Sequence, residues 1–179
     1  DIDNLPEKVL NIIIENSGAQ TGCLILKKDK HFFVEAISDS ENSNHLIAKS
    51  ILVSECFDIP QQIINYVIKF QESLIIQNAT DSSYNQDVYI EQHDCKSIVC
   101  MPINFQNEFI GIIYLENNLK TNAFSPFKLE IIKILVSQVA IAIKNARLFA
   151  SEQEKSRIIK FRSEIDSTLS KSNDLQEML

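Results

Sequence analysis

Residues 96–118 read KSIVCMPINFQNEFIGIIYLENN, two apolar runs, KSIVCMPINFQ (96–106) and EFIGIIYLENN (108–118), joined by a tight polar turn around Gln106-Asn107-Glu108. Runs of strand length separated by so short a turn predict an antiparallel hairpin. Pro102 has no N–H for a ladder, so the first run is expected to be an edge or bulged strand. Gly111 in the second run points to close packing against another element.

Downstream, after a loop at Leu119–Asn122, Ser125 and Pro126 open a long helix as cap and first residue, with Glu130 following. From Leu129 the residues Ile132, Leu135, Val136, Val139, Ala142, Ile143, Ala146 and Phe149 mark one face, and Lys128, Lys133, Ser137, Lys144 and Arg147 the other. Residues 150–157 (ASEQEKSR) are polar on every side but contain no Gly or Pro, so the helix need not stop there. From Ile158 a heptad-like series resumes: Ile158, Phe161, Ile165, Thr168, Ser172, Leu175 and Leu179. Extending the earlier phase gives Gln153, Ser156 and Lys160, which misses this series; a stutter in a coiled coil or a real break is expected. A loosely attached amphipathic helix is the alternative.

Upstream, LPEKVLNIIIEN (5–16) has helical spacing at Leu5, Val9, Ile12 and Ile13, with Asn4 as cap and Gly18 at its end. TGCLILKK (21–28) and HFFVEAIS (31–38) predict a second hairpin about Asp29-Lys30. Residues 46–54 are ambiguous between strand and helix. PQQIINYVIKF (60–70) is helical, with Ile63, Ile64, Val67 and Ile68 on one face, and SLIIQNA (73–79) is a short strand. Residues 80–94 form a loop with at most one helical turn. The order predicts an α+β fold, one mostly antiparallel sheet backed by helices.

The composition fits this: 179 residues, 45% apolar and 23% charged, describe one ordered domain with an appended segment. No apolar run approaches the ~18 residues of a membrane span, and DIDNLPEK is no signal peptide; a cytoplasmic chain without a membrane partner is expected. The net charge of -7 supplies no broad cationic face, and Lys27-Lys28-Asp29-Lys30 reads as a solvated turn, so nucleic acid is disfavoured. The chain opens on Asp1 rather than Met, and an internal module of something longer is expected.

Candidate chemistry is sparse. There is no GxxxxGK[ST], GxGxxG, GxSxG or HExxH. Cys23, Cys56, Cys95 and Cys100 lack CxxC pairing, and Cys23 and Cys100 sit in apolar runs as small core residues, so no metal site is expected. His31 and His45 read as surface residues, and His93 neighbours Asp94 and Cys95. The loop-rich segment 54–95, laid over one sheet face, is the candidate pocket. Its candidate ligand-binding residues are Phe57, Tyr66, Asp81, Tyr84, Tyr89 and His93, with Asn85 nearby.

Four motifs together resemble the C-terminal half of a GAF domain: Lys96-Ser97 through Pro102, Gly111 through Asn117, Phe124-Ser125-Pro126, and Ala142 through Leu148. ENSGAQTGCLIL and DIPQQIINYVIKFQESLIIQNA resemble the family's earlier elements, so the resemblance covers about residues 5–150. It looks especially like the GAF domains of large bacterial and fungal hybrid sensor kinases, which pair a Ser/Thr-kinase-like region and an ATPase region with a histidine kinase. The resemblance implies a PAS-related, six-stranded antiparallel sheet with the terminal helices packed on one face, and a last helix continuing as a signalling helix. Divided this way, residues 1–149 are the sensory domain and 150–179 a helical linker toward an output domain.

The same resemblance implies a homodimer through the terminal helices, with Ile158, Phe161, Ile165, Leu175 and Leu179 on the dimer or signalling helix. No NKFDE signature lies between Asn78 and Asp94, which disfavours cyclic nucleotide. Asp58-Ile59-Pro60 is similar to the DIP of bilin-binding phytochromes, but the usual Cys–His attachment pair is absent, since His93-Asp94-Cys95 runs in the wrong order; bilin is disfavoured too. The expected function is a non-catalytic sensory and dimerisation module with an unidentified small-molecule ligand. The alternatives are a ligand-free dimerisation spacer, and a thiol-dependent reductase of free methionine sulfoxide using Cys56 or Cys95.

Overall fold

A computed structural model describes residues 5–39 and 50–177, with side chains described as far as residue 168. The expectations for Asn4, His45, Leu179, residues 46–49 and the side chains of Ser172 and Leu175 lie outside this range. Compact units divide between Ile141 and Ala142.

In the first unit, α1 (Leu5–Ser17) precedes β1 (Thr21–Lys28) and β2 (His31–Asp39). Then come β3 (Ile51–Leu52), α2 (Gln61–Phe70), β4 (Leu74–Ile76), α3 (Val88–Gln92), β5 (Ser97–Phe105), β6 (Glu108–Asn117) and the start of α4 (Pro126–Glu177). The six strands form one antiparallel sheet in the order β3-β2-β1-β6-β5-β4. The ambiguous stretch before Ser54 resolves into both possibilities in part, with β3 running directly into a 3-10 turn at Val53–Glu55.

Both predicted hairpins form, and each turns on a residue with left-handed backbone, Asp29 (φ 55°) and Gln106 (φ 55°). Pro102 pairs with Ile112 of β6, whereas β4 reaches only Ile98 to Cys100, so Pro102 lies where β5 has no described neighbour on its other side. That is how a residue without a donor is accommodated. Gly111 lies against β1, where a Cβ would come within 2.1 Å of the Ile25 carbonyl oxygen.

Alternation sends successive strand residues to opposite faces. Cys23, Ile25, Ile112 and Tyr114 join Ile63, Ile64 and Val67 of α2 in one apolar cluster, which also takes in Tyr89, Ile90 and Cys95. On the other face, the absent side chain of Gly22 leaves room for Leu10 and Ile14 of α1 and Leu115 of β6. Ser38 donates to Asn11 at 2.7 Å and ties α1 to β2. α1 buries Val9, Leu10, Ile13 and Ile14; Ile12, expected on the buried face, is 50% exposed. At about 100° per residue, a stripe centred on Leu10 and Ile13 turns Ile12 outward.

Ser125 accepts from the Lys128 N–H at 3.4 Å and Pro126 takes the first position of α4, as expected. The helix runs unbroken through 150–157, so the polar stretch is no break in helical structure. Phe149, expected on the apolar face, is 54% exposed.

Candidate functional site

The loop-and-helix segment over the sheet is pinned by two buried acids, one capping α3 and one near the end of β6. Asp87 is 5% exposed; its carboxylate accepts from the Tyr89 N–H at 3.0 Å, capping α3. It also accepts from the Gln62 N–H at 3.3 Å, so it serves the first turn of α2, whose own cap position is Pro60. Two helix starts thus share one acceptor for their otherwise orphaned donors.

Glu116 is the second acid, 1% exposed near the end of β6. Its carboxylate accepts from Tyr114 Oη at 2.6 Å, Tyr89 Oη at 3.3 Å, Cys95 Sγ at 3.4 Å and Asn118 Nδ2 at 3.3 Å. Every one of these donors is neutral. Burial, reinforced by the Glu116 charge, pushes the Tyr89 and Tyr114 phenols and the Cys95 thiol up, so all three keep their protons and donate. The cluster joins α3 through Tyr89, the start of β5's approach through Cys95, and the central strand β6.

The next residue, Asn117, faces the other way. It donates to the Gly18 carbonyl at the end of α1 (3.0 Å) and accepts from the Leu119 and Lys120 N–H groups at 3.1 and 3.0 Å. Ser97 and Gln77 complete this loop: Ser97 Oγ accepts from the Ala123 N–H, and Gln77 Nε2 donates to the Phe124 carbonyl. Three consecutive residues, Glu116-Asn117-Asn118, thereby connect α3, the end of α1 and the loop leading to α4.

Of the six sequence-derived ligand candidates, the structure brings two pairs together. The His93 ring stacks on Tyr89 at 4.0 Å between centroids, and its Nδ1 lies 2.9 Å from the Tyr89 carbonyl oxygen. Tyr66 and Tyr84 both pack against the apolar cluster, and burial with Tyr66 close by pushes the Tyr84 phenol up. Tyr66 also meets Phe70 at 4.8 Å. Phe57 is 86% exposed, and Asp81 is a surface residue accepting from Asn78 at 2.6 Å. Asn85 donates to the Thr80 carbonyl. In the helical segment after residue 141, Ile158, Phe161 and Ile165 are 58, 64 and 42% exposed.

Glu116, Tyr114 and Asp87 escaped the sequence reading, although one signal was present. Glu116 stands two and four residues beyond Tyr114 and Ile112, on the same face of a strand whose continuous apolar run from Phe109 to Leu115 marks both faces as buried. Among the described residues, no group of three or more His, Cys, Asp or Glu side chains could hold a metal ion.

The thiols have the opposite character to that of a reductase. Cys23, Cys56, Cys95 and Cys100 are all buried and free. Burial raises each thiol from its ordinary value of 9.0. A catalytic thiol needs access and a lowered pKa. Below about pH 8 both folded and unfolded states keep these protons; above about 9 only the unfolded chain releases them, so stability is expected to fall as pH rises from there. Urea unfolding between pH 7 and 10.5 measures the trend. In the same samples, native thiols should react with an aromatic disulfide over hours and denatured ones within minutes; one fast native thiol at pH 8 would refute the assignment.

Comparison with known proteins gives a consistent picture. The GAF domain family matches residues 1–143. The hybrid signal transduction histidine kinase G of Dictyostelium discoideum is 44% identical over 88 residues, 49% of this chain and 3% of that protein. The peroxide stress-activated histidine kinase mak3 of Schizosaccharomyces pombe is 25% identical over 148 residues, covering 82% of this chain and 6% of that protein. The chain therefore spans only a small part of these relatives. Among solved structures, GAF3 from Slr1393 of Synechocystis sp. PCC6803, in its photoproduct state, superimposes with a TM-score of 0.66 at 12% identity. That match covers 86% of this chain and 99% of that one. A GAF domain/HD domain protein from Geobacter sulfurreducens gives 0.61 at 14% identity, over 83% and 95%.

Proposed function

The chain belongs to the GAF domain family, and on that footing we propose that it is a regulatory sensory and dimerisation module of a multidomain histidine kinase, without catalysis of its own. The observation that carries the proposal is the 44% identity to a hybrid signal transduction histidine kinase. Among the described residues no helix is long and apolar enough to cross a membrane, which supports a cytoplasmic module. The module works as a homodimer, its terminal helices α1 and α4 pairing and the distal part of α4 acting as a coiled-coil linker toward an output domain.

The relay starts at the segment 54–95. A small molecule or partner bound there displaces α3, and Tyr89 and Cys95 carry the displacement to Glu116. Adjacent residues of a strand serve opposite faces, so Asn117 passes it to the end of α1. The ligand shifts the equilibrium only as far as it binds one arrangement better than the other. The polar stretch 150–157 then selects between two registers of the paired helix.

A chimaera tests this. The chain replaces the segment it matches in histidine kinase G, and regulated autophosphorylation is expected to persist, whereas deletion of that segment abolishes regulation. Constitutive activity of the chimaera would refute the sensory role. Native mass spectrometry of the purified chain separates the sensor from a ligand-free spacer: a retained small molecule supports the first, and a bare mass under all conditions the second.

A further inference from the structure

The chain from Thr80 to Cys95 leaves the sheet and returns to it at one place. The Ala79 N–H, just after β4, donates to the Lys96 carbonyl, just before β5, at 2.8 Å, and the Lys96 N–H donates in turn to the Asn117 carbonyl at 3.0 Å. A compact loop whose two ends are joined in this way is an Ω-loop. Its backbone is satisfied from within. The N–H groups of Ser82, Asn85, Asp87, Glu91, His93 and Cys95 all donate to carbonyls inside 79–90.

The bonds that tie the middle of this loop to the rest of the fold run instead through two carboxylates. Asp87 accepts from the Gln62 N–H of α2, and Glu116 of β6 accepts from Tyr89 Oη and Cys95 Sγ. The Gln62 and Tyr89 bonds are both 3.3 Å, longer than such bonds usually are. Tyr114, which belongs to the sheet, holds the same Glu116 carboxylate at 2.6 Å. The remaining hold is apolar and small: Tyr89 and Ile90 are buried, and Tyr89 meets Tyr114 edge-on at 6.4 Å. Closing the loop also buries the Glu116 charge among neutral donors, which is costly without a counter-charge. Opening returns that charge to water. Internal backbone bonds, few outward ties and an opposing desolvation cost together make a unit of low local stability.

We propose that residues 79–96 form a lid that opens as one piece about the Ala79–Lys96 pair while α2 and the sheet stay folded, its latch being Tyr89 and Cys95 on Glu116. The lid rests on the sensory role proposed above for its purpose, and supplies that role with its moving part: the whole loop lifts, rather than α3 shifting within it. Its opening is felt at two places. Asp87 caps α3 with one oxygen and receives Gln62 with the other, so lifting the lid also uncaps the start of α2, where Pro60 makes no side-chain bond. Glu116 loses two of its donors beside Asn117, which holds the end of α1.

Thiol labelling resolved by cysteine, on the 179-residue chain, tests this because Cys95 lies inside the lid and is buried when it is closed. Within the slow reaction expected of native thiols, Cys95 labelling should show less than about half the urea dependence of global unfolding, since a lid exposes little surface. In hydrogen exchange the Glu91, His93 and Cys95 amides should share that dependence, and the Ala79 and Lys96 amides should follow the sheet. Ile14→Val, on the opposite face of the sheet, lowers global stability only. It should speed exchange of the β1 and β6 amides about 2- to 10-fold and leave Cys95 labelling within about 2-fold. Tyr89→Phe removes the latch hydroxyl, keeps the ring and should speed Cys95 labelling about 3- to 10-fold. Cys95 labelling that follows global unfolding, both in urea and in Ile14→Val, overturns the lid. So does fraying of the α3 amides one by one while Cys95 stays as protected as the sheet. An unchanged Cys95 rate in Tyr89→Phe overturns the latch. Since neither a ligand nor a kinase enters these measurements, the lid fails or holds separately from the sensory role that the chimaera tests.

Discussion

Gly111→Ala is expected to destabilise the fold by about 4 kcal/mol or more, enough to abolish the cooperative unfolding transition. The added Cβ would sit 2.1 Å from the Ile25 carbonyl oxygen and 3.1 Å from the Leu26 Cα. Both are backbone atoms of β1, paired with β2 on its other side, so neither can retreat without breaking the centre of the sheet. Gly22→Ala provides the contrast. There the nearest atoms, at 3.0 and 3.1 Å, are the side-chain ends of Leu10, Leu115 and Ile14, which can move. That substitution should cost about 1–3 kcal/mol. Urea unfolding followed by circular dichroism compares the two, and a loss below about 1 kcal/mol at Gly111 would show that β1 and β6 do not approach in this way.

The second large effect is expected at Glu116. Replacing it by alanine removes the acceptor of four buried or half-buried donors at once, from Tyr89, Tyr114, Cys95 and Asn118. Leaving such groups unpaired costs about 1–3 kcal/mol each. Relief from burying a carboxylate without a counter-charge offsets part of that sum. The net expectation for Glu116→Ala is a loss of about 3–5 kcal/mol, and for Glu116→Gln, which keeps one acceptor oxygen and the shape, about 1–2 kcal/mol. Chemical denaturation with tyrosine fluorescence reports both. If alanine and glutamine behaved alike with losses under about 1 kcal/mol, the cluster would not be what fastens α3 to the sheet.

Much of the architecture was legible because its signals are local. The polar pairs at Asp29-Lys30 and Gln106-Asn107 sit between apolar runs of strand length, and both became hairpin turns. Ser125-Pro126 opened α4 where a capping hydroxyl and a preset φ belong. Pro102 and Gly111 each kept the meaning their missing donor and missing Cβ implied. The family motif between Gly111 and Asn117 was also legible, though not its reason. Tyr114 and Glu116 share one face and bond each other, while Asn117 on the opposite face holds Gly18.

The candidate site was less legible. The aromatic and polar residues of 54–95 are candidates because that segment is loop-rich, with Tyr66 on its helix, and the structure divides them among the core, the rim and open solvent: Tyr89 is buried, Tyr66 and Tyr84 half-buried, and Phe57 and Asp81 exposed. Asp87 looked like any loop acid until the start of α2 was seen to need an acceptor that Pro60 does not provide.

What the sequence determined by itself was periodicity, and hence which of the longer apolar runs are strands and which are helices; whether α4 breaks at the polar stretch 150–157 it left open, and the structure carries the helix through. Period 2 and period 3.6 arise from backbone geometry within a few residues, so they need no knowledge of distant elements. Only the tertiary structure decided which apolar face is covered. Ile132 and Ile134 stand two residues apart in α4 with similar hydrophobicity, yet one is fully buried and the other 61% exposed. That difference comes from elements folded over one side of the helix, and burial of this kind is a property of the assembled surfaces rather than of the chain's local pattern.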